Sequence, residues 1–183
     1  MKISIITVTL NSEKTLRDTL NSVFSQTYKN IEHIIVDGGS QDKTLSILKK
    51  YPNKKKKIFI KKNFGIYKSI NYAIKKSNGK FICILNSDDI FQSNTIVENL
   101  VKIISKNKKT NIFFGNVAYF DNSDYYNITR FYSASGFKRW KMKFGLMPPH
   151  PASFIKREVY QKYGSYNENF KIAADFELFL RFI

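Results

Sequence analysis

The strongest constraint on this chain is an alternation in its first half, where short runs of apolar, mostly β-branched residues are each followed by an amphipathic stretch at helical spacing. Lys2 to Leu10 reads as a strand rich in Ile and Val. Asn11 or Ser12 is expected to cap a helix running to about Ser25, with Glu13 in its first turn and Leu16, Leu20, Val23 and Phe24 at helical spacing. Ile31 to Val36 is a second strand, Asp37 to Ser40 a glycine-containing turn, and Ser40 or Asp42 starts a helix that reaches Tyr51. Lys57 to Ile60 makes a third strand, Ile66 to Lys76 a helix, and Asn78-Gly79 turns into the strand Phe81 to Leu85. Strands that are almost continuously apolar are buried on both faces, and helices between them supply parallel crossovers. The pattern predicts an α/β fold: a mostly parallel central sheet with helices on both sides.

In such sheets ligands bind beyond the carboxyl ends of the strands. Three short polar segments stand there: Thr9 to Ser12, Asp37 to Ser40, and Asn86 to Asp89. Gly38 and Gly39 let a backbone approach a ligand closely, although Asp37-Gly38-Gly39-Ser40 also reads as a plain strand-to-helix turn. No Gly-x-Gly-x-x-Gly follows the first strand and no Walker lysine motif occurs. Asp88 and Asp89 are adjacent carboxylates that repel unless a cation or ligand hydroxyls lie between them, or unless one is simply a helix cap. Oxygen ligands without a Cys or His pair suit Mg²⁺ or Mn²⁺.

Charge adds a second question. Among 183 residues, 31 Lys plus Arg face 14 Asp plus Glu, a formal net charge of +17. Lys49 to Lys80 holds twelve Lys and no acid, and Tyr125 to Arg157 holds seven basic residues and no acid. These segments are either solvated surface or the face of an anionic partner such as nucleic acid, a phosphorylated substrate or a membrane. Five Arg, no helix-turn-helix signal, no zinc ligands and no RNP-like aromatic motif argue against nucleic acid, and none is expected as a partner. One cysteine, Cys83, fits a reducing compartment and is expected in the core, with His33 at the sheet edge. Ile3 to Leu10 is too short and too polar for a signal peptide or span, so a cytoplasmic location is expected.

Taken in order, these motifs resemble family 2 glycosyltransferases with the GT-A fold, an α/β/α sandwich. Ile3 to Asn11 resembles the family's first strand, Val36 to Thr44 its second signature, and Ile84 to Asp89 its D-x-D region. Pro149 to Phe154 is similar to a later strand near the acceptor, and Ala174 to Arg181 to the segment carrying the catalytic base. The resemblance implies one domain over 1–183, with 1–90 binding the donor and 91–183 on the acceptor side. It implies donor contacts from Thr9, Asn11, Asp37, Gly39, Asn86 and Asp88, a Mn²⁺ or Mg²⁺ ion on Asp89, and Asp175 as base, with Glu177 ranked second. Lys68 and His150 are candidate phosphate or acceptor contacts. The implied reaction is inverting transfer from a nucleotide-sugar, UDP-linked, to a saccharide or lipid-linked acceptor in surface-glycan synthesis.

The chain departs from the family pattern in places. Gly38 replaces the second acid of the second signature, Asn63 and Lys68 stand where close relatives carry Asp, and Asn86 opens the metal motif. Phe137-Lys138-Arg139-Trp140 lacks the Gln of Q-x-x-R-W, which favours a single transfer over polymerisation. Taken alone, Asp175 also reads as a cap for Phe176 to Phe182. Trp140 and its aromatic neighbours are expected as core or lid. The cations and aromatics of Tyr125 to Arg157 are expected to meet a lipid diphosphate or the anionic membrane face. Ala173 to Ile183 has no terminating Gly, Asn or Pro, which suggests a shortened chain or a minimal member of the family.

Overall fold

The computed structural model describes residues 1–52, 56–121 and 124–183. The first half follows the predicted alternation: β1 (Ile3–Thr9), α1 (Leu16–Phe24), β2 (Ile31–Asp37), α2 (Thr44–Lys50), β3 (Lys56–Ile60), α3 (Ile66–Lys76) and β4 (Phe81–Ile84). The second half adds α4 (Ile96–Lys106), β5 (Ile112–Phe114), β6 (Val117–Asp121), β7 (Asp124–Tyr132), β8 (Ser153–Lys156), α5 (Arg157–Tyr163) and α6 (Ala174–Phe182). Short 3-10 turns cover Arg139–Phe144 and His150–Ala152.

Six strands form one sheet in the order β3-β2-β1-β4-β8-β5. The first four are mutually parallel, whereas β8 runs antiparallel to both β4 and β5. β6 and β7 form a separate antiparallel ribbon. The expected α/β architecture is therefore present as a mixed, mostly parallel sheet.

Side-chain alternation along β1 builds both layers. Ile6 and Val8 face one side, where they join Ile34, Ile70, Ile74, Val159, Leu178 and Phe179 under α3, α5 and α6. Ile3 and Ile5 face the other, with Val23, Phe81, Val97 and Ile104 under α1 and α4. Leu16, Leu20, Ile35 and Leu48 lock α1 and α2 onto that second side. Full burial of each such side chain contributes about 1.5–3 kcal/mol. Cys83 lies in this core, where burial and the Asp89 charge push its thiol pKa up, so it is an inert thiol.

Two polar groups sit deep in the sheet. At the amino ends of the strands, Glu32 accepts from Ser4 Oγ at 2.6 Å and Lys57 Nζ at 3.0 Å. Burial alone would raise its pKa; the bonds from Ser4, Asn78 and Lys57 outweigh that and hold it below the usual carboxylate value. His33 is not at a sheet edge as expected: β2 lies between β1 and β3, and the ring is buried. Its Nε2 shares a 3.0 Å hydrogen bond with Thr7 Oγ1, and burial lowers its pKa to about 3.

Candidate active site

The site lies where the parallel strands end. Thr9 and Asp37 are register partners, and the Gly38 N–H donates to Thr9 O at 2.9 Å. Asp37 is completely buried; its Oδ1 accepts from the N–H groups of Gly39 and Ser40, and its Oδ2 accepts from Ser40 Oγ at 2.6 Å. Its carboxylate shapes the turn and does not itself line the cleft. Gly39 has φ +99°, and a Cβ there would stand 2.8 Å from Lys62 Cγ, so only glycine suits this bend.

Asn11 and Ser12 do not cap α1, which begins at Leu16 with Thr15 before it and no side-chain cap bond. Their polar groups join the β1–α1 and β2–α2 loops instead. Asn11 Oδ1 accepts from the Gln41 N–H and Ser12 N–H donates to Thr44 Oγ1; Glu13 and Asp42 exchange similar bonds with the opposite loop. A helix cap satisfies one end, whereas these cross-bonds fix two loops at once and set the width between them.

Between the loops opens a cleft of about 640 Å³, lined among others by Thr9, Asn11, Gly39, Asn63, Asn86 and Asp88. Thr9 Oγ1 is buried and has no hydrogen-bond partner, an open polar position on the floor. Among the described residues no Lys or Arg lines this cleft. Lys68, expected near a phosphate, is exposed and has its ammonium over the Phe64 ring at 4.7 Å, outside both clefts described here.

At the end of β4, Asp88 is exposed to the cleft, while Asp89 is held from behind by Asn86 Nδ2 at 3.0 Å. Burial first and Asp88 second hold the Asp89 pKa above the usual carboxylate value, and the Asn86 bonds only partly offset them. Neither carboxylate has an ion-pair partner among the described residues. Nor do they belong to a group of three or more His, Cys, Asp or Glu. Two uncompensated carboxylates with an amide and a hydroxyl nearby fit a hard divalent cation whose remaining ligands come from a bound phosphate or water.

A second cleft of about 540 Å³ adjoins the first through Ile66 and Asn86. Asp175 and His150 line it, facing Tyr67, Tyr119, Arg130 and Tyr132. Asp175 is the second residue of α6 and not its cap; that place belongs to Ala173, in a left-handed conformation at φ 65°. Tyr67 OH accepts from the Ala174 N–H at 3.3 Å. His150 Nε2 is hydrogen-bonded to Tyr166 OH, and its ring packs edge-on against Phe179 at 5.9 Å. Burial lowers the His150 pKa, and the nearby Asp175 charge partly restores it. Tyr166 is itself fixed by Asn71, whose side chain pairs with its backbone N–H and C=O at 2.9 and 2.8 Å. Glu177 is occupied by a two-pronged pair with Arg181.

The structure thus brings Thr9, Asn11, Gly39, Asn86, Asp88, His150 and Asp175 to two joined clefts, and leaves Asp37, Lys68 and the largely buried Asp89 out of the lining. Tyr67, Asn71 and Tyr166 were missed in the sequence, since no short-range pattern marks an aromatic or amide that acts across more than 90 residues, and Arg130 was read only as part of a basic segment. Trp140 is more than half exposed, so it is not core.

Residues 4–164 match the family described as Glycosyl transferase family 2. A glycosyltransferase of Rickettsia typhi is 29% identical over 99% of this chain and 58% of its own length. A PGL/p-HBAD biosynthesis glycosyltransferase of Mycobacterium bovis is 26% identical over 97% of this chain and 68% of its own. Among solved structures, S. aureus TarS in complex with UDP-GlcNAc superposes with a TM-score of 0.79 at 24% identity, covering 100% of this chain and 53% of that one. A mannosyltransferase from Pyrobaculum calidifontis in complex with GDP-Man and Mn²⁺ gives 0.69 at 19% identity, covering 97% and 50%. The chain therefore spans about half the length of several proteins it matches. With the family match running through most of its length, the chain belongs to glycosyl transferase family 2.

Proposed function

We propose that the chain carries the donor site and catalytic base of an inverting, metal-dependent glycosyltransferase that moves a sugar from a UDP-linked donor to a saccharide or lipid-linked acceptor. The observation that carries this reading is the junction of two clefts at Asn86, one bearing Asp88, with Asp89 next to it in the chain, and the other Asp175. The larger cleft is lined wholly by residues between Val8 and Asp88, in keeping with a donor half over 1–90. Family membership and the UDP-GlcNAc and GDP-Man complexes of distant structural relatives support a nucleotide-sugar donor.

Thr9 and the Gly38–Gly39 backbone bind and orient the nucleoside in the first cleft. Asp37 acts through the turn that it ties together. Asp88 and Asp89 would hold a Mn²⁺ or Mg²⁺ ion, which when bound would neutralise charge on the diphosphate leaving group. A cation is needed here because a diphosphate would otherwise meet Asp88 in a cleft without Lys or Arg among its described walls. Asp175 takes the proton of the acceptor hydroxyl as that oxygen attacks the anomeric carbon from the second cleft. One displacement without a covalent intermediate inverts the configuration.

Among the described residues no helix is long and apolar enough to cross a membrane. Trp140, Phe144 and Leu146 are exposed beside exposed Lys138, Arg139 and Lys143, which supports peripheral contact of this edge with an anionic cytoplasmic membrane face. Calorimetry with UDP and Mn²⁺ tests the central reading. Metal-dependent UDP binding is expected, and absence of binding by every nucleoside diphosphate, with and without metal, would overturn it.

A further inference from the structure

The second cleft has a polarity of its own. Asp175 is its carboxylate and Arg130 its only Lys or Arg among the described residues, while much of the wall between them is aromatic, apolar or proline. Arg130 comes from β7, directly opposite Tyr119 of β6 in the ribbon ladder. Its guanidinium lies over the Tyr119 ring, 5.4 Å from the centroid. A guanidinium over a ring still has N–H groups that can donate to a planar or tetrahedral anion. Among the described residues no carboxylate forms an ion pair with Arg130.

Three lysines of the first acid-free segment are placed differently. Lys61 and Lys76 lie over the Tyr72 ring and Lys68 over Phe64, outside both clefts. Of the 31 basic residues in the chain, Arg130 is therefore the one that the described lining of either cleft presents to a ligand. It does not line the first cleft, where the donor diphosphate belongs.

We propose that Arg130 is an acceptor-recognition residue, and that the acceptor carries a phosphate group held by Arg130 while its reacting hydroxyl faces Asp175. The inference rests on the acceptor role given above to this cleft and adds the acceptor's chemical class. Tyr119 holds the guanidinium in place, and Tyr67 and Tyr132 offer rings against the uncharged part of the acceptor. Two sources share this chemistry: a polyol or sugar phosphate, and the phosphate of a lipid carrier.

The test uses the whole chain with UDP and Mn²⁺ present. Binding of glycerol 3-phosphate, octyl phosphate, glycerol and octanol is followed by NMR, observing the side-chain N–H signals of Arg130. Phosphate-dependent binding that weakens with salt and falls at least tenfold in Arg130→Gln, partly restored in Arg130→Lys, is expected. A preference for glycerol 3-phosphate assigns a soluble phosphorylated acceptor; a preference for octyl phosphate assigns a lipid one. Equal response to charged and uncharged compounds, no response at millimolar concentration, or undiminished phosphate binding in Arg130→Gln overturns the proposal. UDP binding is measured on the same samples. Its loss only in Arg130→Gln moves the residue to the donor and overturns the proposal, whereas its absence in the wild-type protein overturns the donor reading instead.

Discussion

The hydroxyl of Tyr67, on α3, accepts a hydrogen bond from the backbone N–H of Ala174, one residue before Asp175 on α6. The first N–H groups of a helix have no partner within it, and here one is satisfied from across the cleft. The catalytic candidate is therefore positioned by a helix 107 residues earlier in the chain. Tyr67→Phe removes that acceptor while keeping the ring stacked on Tyr166 at 5.8 Å. A loss of about 1 kcal/mol of local stability and a fall in kcat of several-fold are expected, with UDP affinity unchanged. Steady-state kinetics with parallel UDP titration decide it, and an equal loss of UDP binding would place the effect in the fold.

Asp175→Asn and Asp89→Ala are expected to fail differently. Loss of the base should lower kcat by roughly 10²–10⁴ and leave nucleotide binding intact. Loss of Asp89 should remove the metal dependence of UDP binding. Calorimetry on both variants separates the roles, and identical losses would show that the two carboxylates do not divide the work as assigned.

His33 predicts an acid-sensitive fold. Burial lowers its pKa to about 3 from 6.5, so below pH 6.5 the unfolded chain binds a proton that the folded chain refuses. Stability is complete above about 6.5 and falls as the pH drops toward 3, by about 1.4 kcal/mol per unit at most. Between pH 6.5 and 5 the contribution is about 2 kcal/mol. Urea midpoints across that range, compared with those of His33→Gln, measure it; parallel pH profiles in the two proteins would contradict it.

Two glycines should each resist alanine, for different reasons. At Gly79 a Cβ would lie 2.4 Å from Ser4 Oγ and 2.5 Å from Ser4 N, against a strand that cannot move without disturbing Glu32. Gly79→Ala is expected to destabilise by roughly 2–3 kcal/mol. Gly65 has open space around it but φ +70° with ψ 169°, a region essentially only glycine adopts, so Gly65→Ala should cost about 1–3 kcal/mol through backbone strain alone. Thermal unfolding measures each, and an unchanged midpoint in Gly79→Ala would refute the crowding there.

The exposed edge around Trp140 and Phe144 makes a membrane prediction. Phe144 is 73% exposed and Trp140 56%, with Lys138, Arg139 and Lys143 exposed beside them. Sedimentation with anionic vesicles is expected to exceed that with neutral ones and to drop severalfold in a Trp140→Ser, Phe144→Ser double variant. Equal recovery in both pellets would leave the charge as a solubility feature.

Much of the first half was legible in the sequence because its signals are local. Ile and Val runs separated by helical spacing specify strands and helices, and α3 spans Ile66–Lys76 as predicted. The second half carries weaker periodicity, and β8 lies antiparallel between β4 and β5, a placement that no short window contains. Asn11 and Ser12 misled because a polar residue after a strand caps a helix in isolation, whereas here the neighbouring loop offers competing bonds.

The sequence by itself determined the alternation, the polar loops at the strand ends and the candidate carboxylates, because each depends on neighbours within a few residues. Tertiary structure alone decided which of those groups face a ligand. It buried the Asp37 carboxylate inside its own turn and laid Lys68 over a ring. It also brought Arg130 from β7 into the cleft that holds Asp175. The reason is geometric: a side chain's direction is fixed by packing and hydrogen bonds from distant segments, and local sequence carries no record of those partners.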